Sequence, residues 1–146
     1  MSYLLDTNIL LRVVRPMDPE HTLVRSTLQT LRIRGETGYY LSQNLIEFWN
    51  VCTRPATARG GFGFSSEETE RATKLVERLF TLLPDTPTIH MEWRRLVVTY
   101  GVQGVHVHDA RLVAGMRAHG LTHILTLNPS DFNRYPGITV VHPASV

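Results

Sequence analysis

Four acidic residues stand at places in this chain where a carboxylate can do chemistry. Asp6 closes the apolar run Tyr3-Leu4-Leu5 and is followed at once by Thr7 and Asn8. Glu47 lies on the helical stretch behind Tyr39-Tyr40-Leu41, Asp109 near the head of another helix, and Asp131 beyond Asn128 after Ile124-Leu125-Thr126-Leu127. In open parallel sheets, ligands bind in the crevice outside the carboxyl ends of the strands, so these four segments can converge there. Carboxylates crowded together repel and raise one another's pKa. A divalent cation removes that repulsion, and oxygen-only ligands select a hard ion, Mg²⁺ or else Mn²⁺, over zinc. Such an ion keeps several waters, one of which can attack a backbone phosphodiester.

Each acid also has a plainer reading. Asp6 can serve as the cap of the helix behind it. Glu47 shares its helical face with Asn44, Asn50 and Arg54, the setting of a solvated side chain. Asp109 suits a first helical turn on dipole grounds alone, and Asp131 suits a turn before Arg134. Local spacing leaves these alternatives open.

The elements that must position these groups alternate short apolar runs with longer helical periods, the pattern of an α/β fold with a parallel sheet. Strands are expected at Tyr3–Leu5, Tyr39–Leu41, Thr86–Ile89, Ile124–Leu127 and Ile138–Val141. Helices are expected from Thr7 to about Val14, Pro19 to Arg34, Ser42 to Cys52 with Ser42 as cap, behind a Ser65/Glu68 capping box, around Trp93 to Tyr100, and from His108-Asp109 to Gly120. Pro55 to Gly63 reads as a loop. With no repeat, linker or low-complexity tract, residues 1–146 are expected to form one domain.

Composition narrows the classes without choosing among them. The net charge is +2, hydrophobic residues make up 42%, and Lys74 is the one lysine among 15 basic residues. The hydrophobic share argues against disorder, and arginine suits bidentate phosphate contacts. The single cysteine, Cys52, has no partner for an internal bridge, which fits a reducing compartment. No apolar run reaches the roughly 20 residues of a membrane span, and the N-terminus lacks the pattern of a secretory signal. A cytoplasmic protein without a membrane partner is expected.

The motifs together resemble the PIN domain family, and within it the VapC-type toxins of VapBC toxin–antitoxin pairs. LLDTNILL is similar to the first family motif, SQNLIEFWNVCTRP to the second, VHDARLVAG to the third, and LTLNPSDFNRYPGITVVHP to the C-terminal block. The resemblance implies a three-layer α/β/α sandwich around a mostly parallel sheet. It implies metal-dependent endonucleolytic cleavage of RNA, with Asp6, Glu47, Asp109 and Asp131 as catalytic and metal-binding acids. Thr7, Asn8 and Asn128 become neutral polar groups supporting them. Many relatives carry an acid at the position of Asn128, and here Asp131 is favoured as the fourth acid. A homodimer and a small VapB-like antitoxin are implied as partners.

Arg12, Arg15, Arg54, Arg59 and Arg111 flank the acidic segments and are candidates for guiding RNA phosphate past the acids. Phe62 and Phe64, in a glycine-rich loop, suit base stacking or ordinary packing. His106 and His108 form an H-x-H pair, but no cysteine or second histidine pair completes a zinc site. His108 is expected to position the turn into Asp109, and Cys52, Trp49 and Trp93 to be core residues. Two other classes remain: a PIN-like module that binds RNA or a partner without cutting, and an aspartyl-phosphate phosphatase. The second lacks its usual aspartate two residues past the first, where Asn8 stands.

Overall fold

Leu4 and Leu5 are both fully buried, yet they enter different cores. Successive side chains on a strand face opposite ways, so an uninterrupted apolar run needs cover on both faces of its sheet. Parallel sheets occur under that condition. The computed structural model, which describes residues 1–146, meets it. Strands β1 (Ser2–Leu5), β2 (Thr37–Leu41), β3 (Thr81–Leu83), β4 (His123–Leu125) and β5 (Thr139–Val141) form one sheet in the order β3-β2-β1-β4-β5. Every neighbouring pair is parallel.

Four helices cover one face: α1 (Thr7–Val13), α2 (His21–Ile33), α3 (Ser42–Thr53) and α4 (Ser66–Leu79). There Leu5, Tyr40 and Leu125 pack with Ile9, Val24, Phe48, Cys52 and Val76. Helices α5 (Pro87–Thr99) and α6 (His106–Ala118) cover the other, where Leu4, Leu41 and Ile124 meet Ile89, Leu96, Leu112 and Met116. The expected three-layer sandwich is therefore present, with a sheet that is parallel throughout. Each fully buried aliphatic side chain contributes roughly 1.5–3 kcal/mol through removal from water, and both cores draw on every central strand.

Several local expectations change. The third strand runs over Thr81–Leu83 rather than Thr86–Ile89. Phe80 is extended (φ −130°, ψ 166°), which ends α4 there. Thr86 instead precedes α5, and Pro87 takes the first helical position, where its fixed φ and missing N–H cost nothing. Ser42 opens α3 without capping it. The N-terminal lock is Asn44, whose Oδ1 accepts the Leu41 N–H at 2.8 Å, while the Ser42 hydroxyl donates to Asp85. Helix α6 starts at His106, two residues earlier than expected. The Ser65/Glu68 box forms as read, with reciprocal bonds of 3.2 and 3.1 Å. Gly120, at φ +70°, ends α6 and lets Leu121 N–H return to the Met116 carbonyl.

The strand order locates the crevice. The chain winds outward from β1 through β2 to β3, then returns to lay β4 on the opposite side of β1. The winding direction therefore switches between β1 and β4, and their carboxyl ends are the expected place for a ligand.

Candidate metal centre

Asp6 stands at that switch point. Its backbone N–H extends the β1–β4 ladder to the Leu125 carbonyl at 3.0 Å, which fixes the residue at the strand exit. Its Oδ1 accepts the Thr7 N–H at 2.8 Å, so Asp6 does cap α1. Its Oδ2 accepts from the Thr126 hydroxyl at 2.7 Å and from Asn8 Nδ2 at 3.2 Å. Capping and the crevice are thus compatible uses of one carboxylate. All of its donors are neutral, and the side chain is only 8% exposed. Burial pushes the Asp6 carboxyl up to about 6, against the pull of the Thr126 and Thr7 bonds and with help from Asp109 and Asp131.

Glu47 comes from α3. Its Oε1 accepts from Gln43 Nε2 at 3.3 Å and weakly from the Thr7 hydroxyl at 3.4 Å. Thr7 is held in turn by Asn44, which is fully buried and donates to its hydroxyl at 3.1 Å. Burial, then the charge of Asp6, pushes Glu47 up to about 7. The solvated reading of this glutamate does not fit that setting. Asp109, in the first turn of α6, is also raised, chiefly by burial and further by Asp131, despite a bond from His106.

Asp131 lies in the short 3-10 turn Pro129–Asp131 after β4. Ligand-type atoms of His106, Asp109 and Asp131 all lie within 4.8 Å of one another. Asn128 is exposed and acts through its backbone: its N–H donates to Thr126 Oγ1 at 3.0 Å and its carbonyl accepts the Asp131 N–H at 3.1 Å. Asn8 Oδ1 accepts from Leu127 N–H, which ties α1 to the β4 exit.

No arginine or lysine pairs with Asp6, Glu47, Asp109 or Asp131. In a chain with more bases than acids, that leaves four carboxylates whose mutual repulsion is met by neutral donors and one imidazole. A hard dication fits such a donor set. Tyr135 is 2% exposed and its hydroxyl has no partner; burial raises its phenol, against the charge of Arg134 and with a small push from Asp109.

The arginines divide. Arg111 donates to Gln43 Oε1 at 3.1 Å and approaches Asp85 at 3.6 Å, so Gln43 joins it to Glu47. Arg12 faces Asp18 and Glu20 instead, at 3.6 and 3.8 Å. Arg15 covers the Phe62 ring at 4.3 Å, and Arg54 donates to the Arg59 carbonyl. Phe62 and Phe64 pack against the α1–α4 core. Trp93 donates to the Val107 carbonyl and packs under α6, and Cys52 is fully buried, its thiol pushed up to about 12.

Sequence reasoning missed Thr126, Gln43, Asn44 and His106. Thr126 was detectable as the polar break in an apolar strand, and Gln43 as the residue four before Glu47 on one helical face. The H-x-H pair does not act together: His106 Nδ1 lies 3.2 Å from Asp109 Oδ2, three residues on. His108 contributes its carbonyl to Gln43 and leaves its side chain exposed.

Fold and site together define a parallel α/β/α protein with an acidic crevice at its topological switch point. The family model of the PIN domain matches residues 3–138, and the chain belongs to the PIN domain family. No curated protein matches it in sequence. Among solved structures it is similar to a chain of VapBC2 from Rickettsia felis bound to a promoter DNA fragment, at 16% identity and TM-score 0.70, over 97% of this chain and 98% of that one. It is similar to FitAcB from Neisseria gonorrhoeae at 22% identity and TM-score 0.65, covering 100% of both chains. VapC20 from Mycobacterium tuberculosis, a toxin that cleaves the sarcin-ricin loop, matches at 15% identity and TM-score 0.60, over 84% and 86%. At such identities the likeness speaks for the fold.

Proposed function

We propose that this chain is a divalent-metal-dependent endoribonuclease, the toxin of a VapBC-type type II toxin–antitoxin pair, with Mg²⁺ or Mn²⁺ as its ion. The observation that carries the reading is that Asp6, at the switch point of a PIN-domain sheet, feels the charges of Asp109 and Asp131, as Glu47 feels those of Asp6 and Asp109, and that none of the four has an arginine or lysine partner. Asp6, Glu47, Asp109 and Asp131 hold the ion. Bound there, the dication supplies positive charge to the scissile phosphate and acidifies an attacking water.

The chain's own groups prepare that chemistry. Thr126, Thr7 and Asn8 fix both oxygens of Asp6, so the carboxylate pays little ordering entropy when it binds. Gln43 holds Glu47, whose carboxyl, raised to about 7 in the metal-free protein, gives up its proton when the ion is taken up. Arg111, tethered to the same Gln43, presents its guanidinium to the RNA backbone. The partners that accompany the reading are RNA, a VapB-like antitoxin and a second copy of the chain. The antitoxin is supported by neighbours solved as assemblies named VapBC and FitAB.

The test is cleavage of single-stranded RNA by purified protein with Mg²⁺ or Mn²⁺, followed by sequencing of the new ends. Wild type is expected to cut and to stop when EDTA is added. Asp6→Asn is expected to lose about 100-fold or more, since it removes a charge used in the transition state. Wild-type rates from Asp6→Asn would end the proposal. Asn128, neutral where many relatives carry an acid, favours a second reading, an RNA-binding module that does not cut. That module would bind RNA without turnover under any of these ions.

A further inference from the structure

We propose that His106 is a nitrogen ligand of the ion at this centre and tilts it from Mg²⁺ towards Mn²⁺. The inference rests on the metal-dependent reading above and names a residue outside the four acids. His106 opens α6 and Asp109 sits three residues later, so the two side chains share one helical face. The His106 Nδ1 stands 3.2 Å from Asp109 Oδ2. Adjacent ligands of an octahedral ion with bonds of about 2.1 Å sit roughly 3 Å apart, and opposite ones roughly 4.2 Å. The 3.2 Å separation is that of neighbouring ligands, and Asp131 brings a third atom within 4.8 Å of both.

Asp109 is the ring's one competitor: Nδ1 exchanges its hydrogen bond to that carboxylate for the ion, and both groups then face it as ligands. No other side chain bonds to His106, and no arginine or lysine reaches Asp109. The side chain is 45% exposed, so ring and ion can meet from the solvent side without opening the core. Carboxylates alone suit Mg²⁺ and Mn²⁺ alike, whereas an imidazole favours first-row transition ions over Mg²⁺.

Pulsed EPR on full-length protein with one equivalent of Mn²⁺ reads the ligand directly, because a bound imidazole modulates the echo through its nitrogen. The modulation is expected in wild type and lost in His106→Ala and His106→Gln, the second keeping a polar side chain in case the first folds poorly. Calorimetry is expected to show Mn²⁺ binding weakened about 10-fold or more in His106→Gln, with Mg²⁺ changed about threefold or less. Mn²⁺ bound in an Asp109-dependent way without nitrogen modulation, or modulation that survives both variants, overturns the role of His106 and leaves the nuclease reading standing. Wild-type protein that binds neither ion overturns both.

Discussion

With no ion bound, burial raises Asp6 to about 6 and Glu47 to about 7, so in the metal-free protein both carboxyls titrate near neutral pH. Their ordinary values are 3.8 and 4.5. Because the folded values are raised, the folded state binds more protons than the unfolded chain between those limits. The stabilisation from these two groups is therefore complete below about pH 4 and is lost as pH rises through 6 and 7. Glu47→Gln removes a repelling charge while keeping the size of the side chain. In EDTA at pH 8 it is expected to raise the melting temperature by about 2–4 °C, the shift that a change near 1 kcal/mol gives in a domain of this size. At pH 4.5, where the wild-type glutamate is already protonated, the difference should vanish. Calorimetric scans at the two pH values check this, and an equal effect at both would show that ionisation of the buried Glu47, beside Asp6, is not what burdens the site. For the same reason Mg²⁺ affinity should climb between pH 5.5 and 7.5 as bound protons leave.

At the scale of elements, α6 carries Asp109 and must lie close to β2. Gly115 makes that approach possible: a Cβ placed there would stand 2.3 Å from Leu41 Cδ1 and 3.1 Å from its Cδ2. Leu41 is itself fully buried, so it has nowhere to retreat. Gly115→Val is expected to cost about 1–3 kcal/mol through overpacking, read as a lower urea midpoint at unchanged slope. An unaltered midpoint would mean the contact is slack. This packing was not legible in the sequence, where Gly115 looked like any small residue in a helix, whereas the helix-stop role of Gly120 was. The buried strands β1, β2 and β4 were legible because they are short apolar runs with turn signals around them. Strand β3 was not, because Leu79, Phe80 and Leu83 continue the helical spacing of α4 and only the extended backbone at Phe80 breaks it. The acids could be named from Asp6, Glu47 and Asp109 in their motifs. Of their neutral supports, Thr7 and Asn8 could be named because they adjoin Asp6, whereas the pairings of Thr126 with Asp6 and of Asn44 with Thr7 join residues 120 and 37 positions apart and only the fold shows them.

For the whole molecule, charge is distributed so that its far field and near field oppose each other. The chain has 15 basic and 13 acidic residues. Setting aside the four candidate site acids leaves nine acids against those bases, a positive surplus of six over the rest of the chain. A polyanion is drawn towards such a body at long range and repelled at the site until a cation occupies it. Arg111 and Arg12 each have an acid at 3.6 Å, Asp85 and Asp18, so what separates them is their further contacts. Arg111 also bonds Gln43, which holds Glu47, whereas Arg12 meets a second acid, Glu20. Single-stranded RNA binding loses about 0.7 of log–log salt slope for each phosphate contact removed. Fluorescence anisotropy against KCl, with Mg²⁺ present and Asp6→Asn as the background so that RNA stays intact, should show Arg111→Gln lowering the slope by about 0.7. Arg12→Gln should leave it within error. Equal slopes for both variants, or a larger loss from Arg12→Gln, would place the RNA path away from Gln43 and Glu47 and towards the far end of α1.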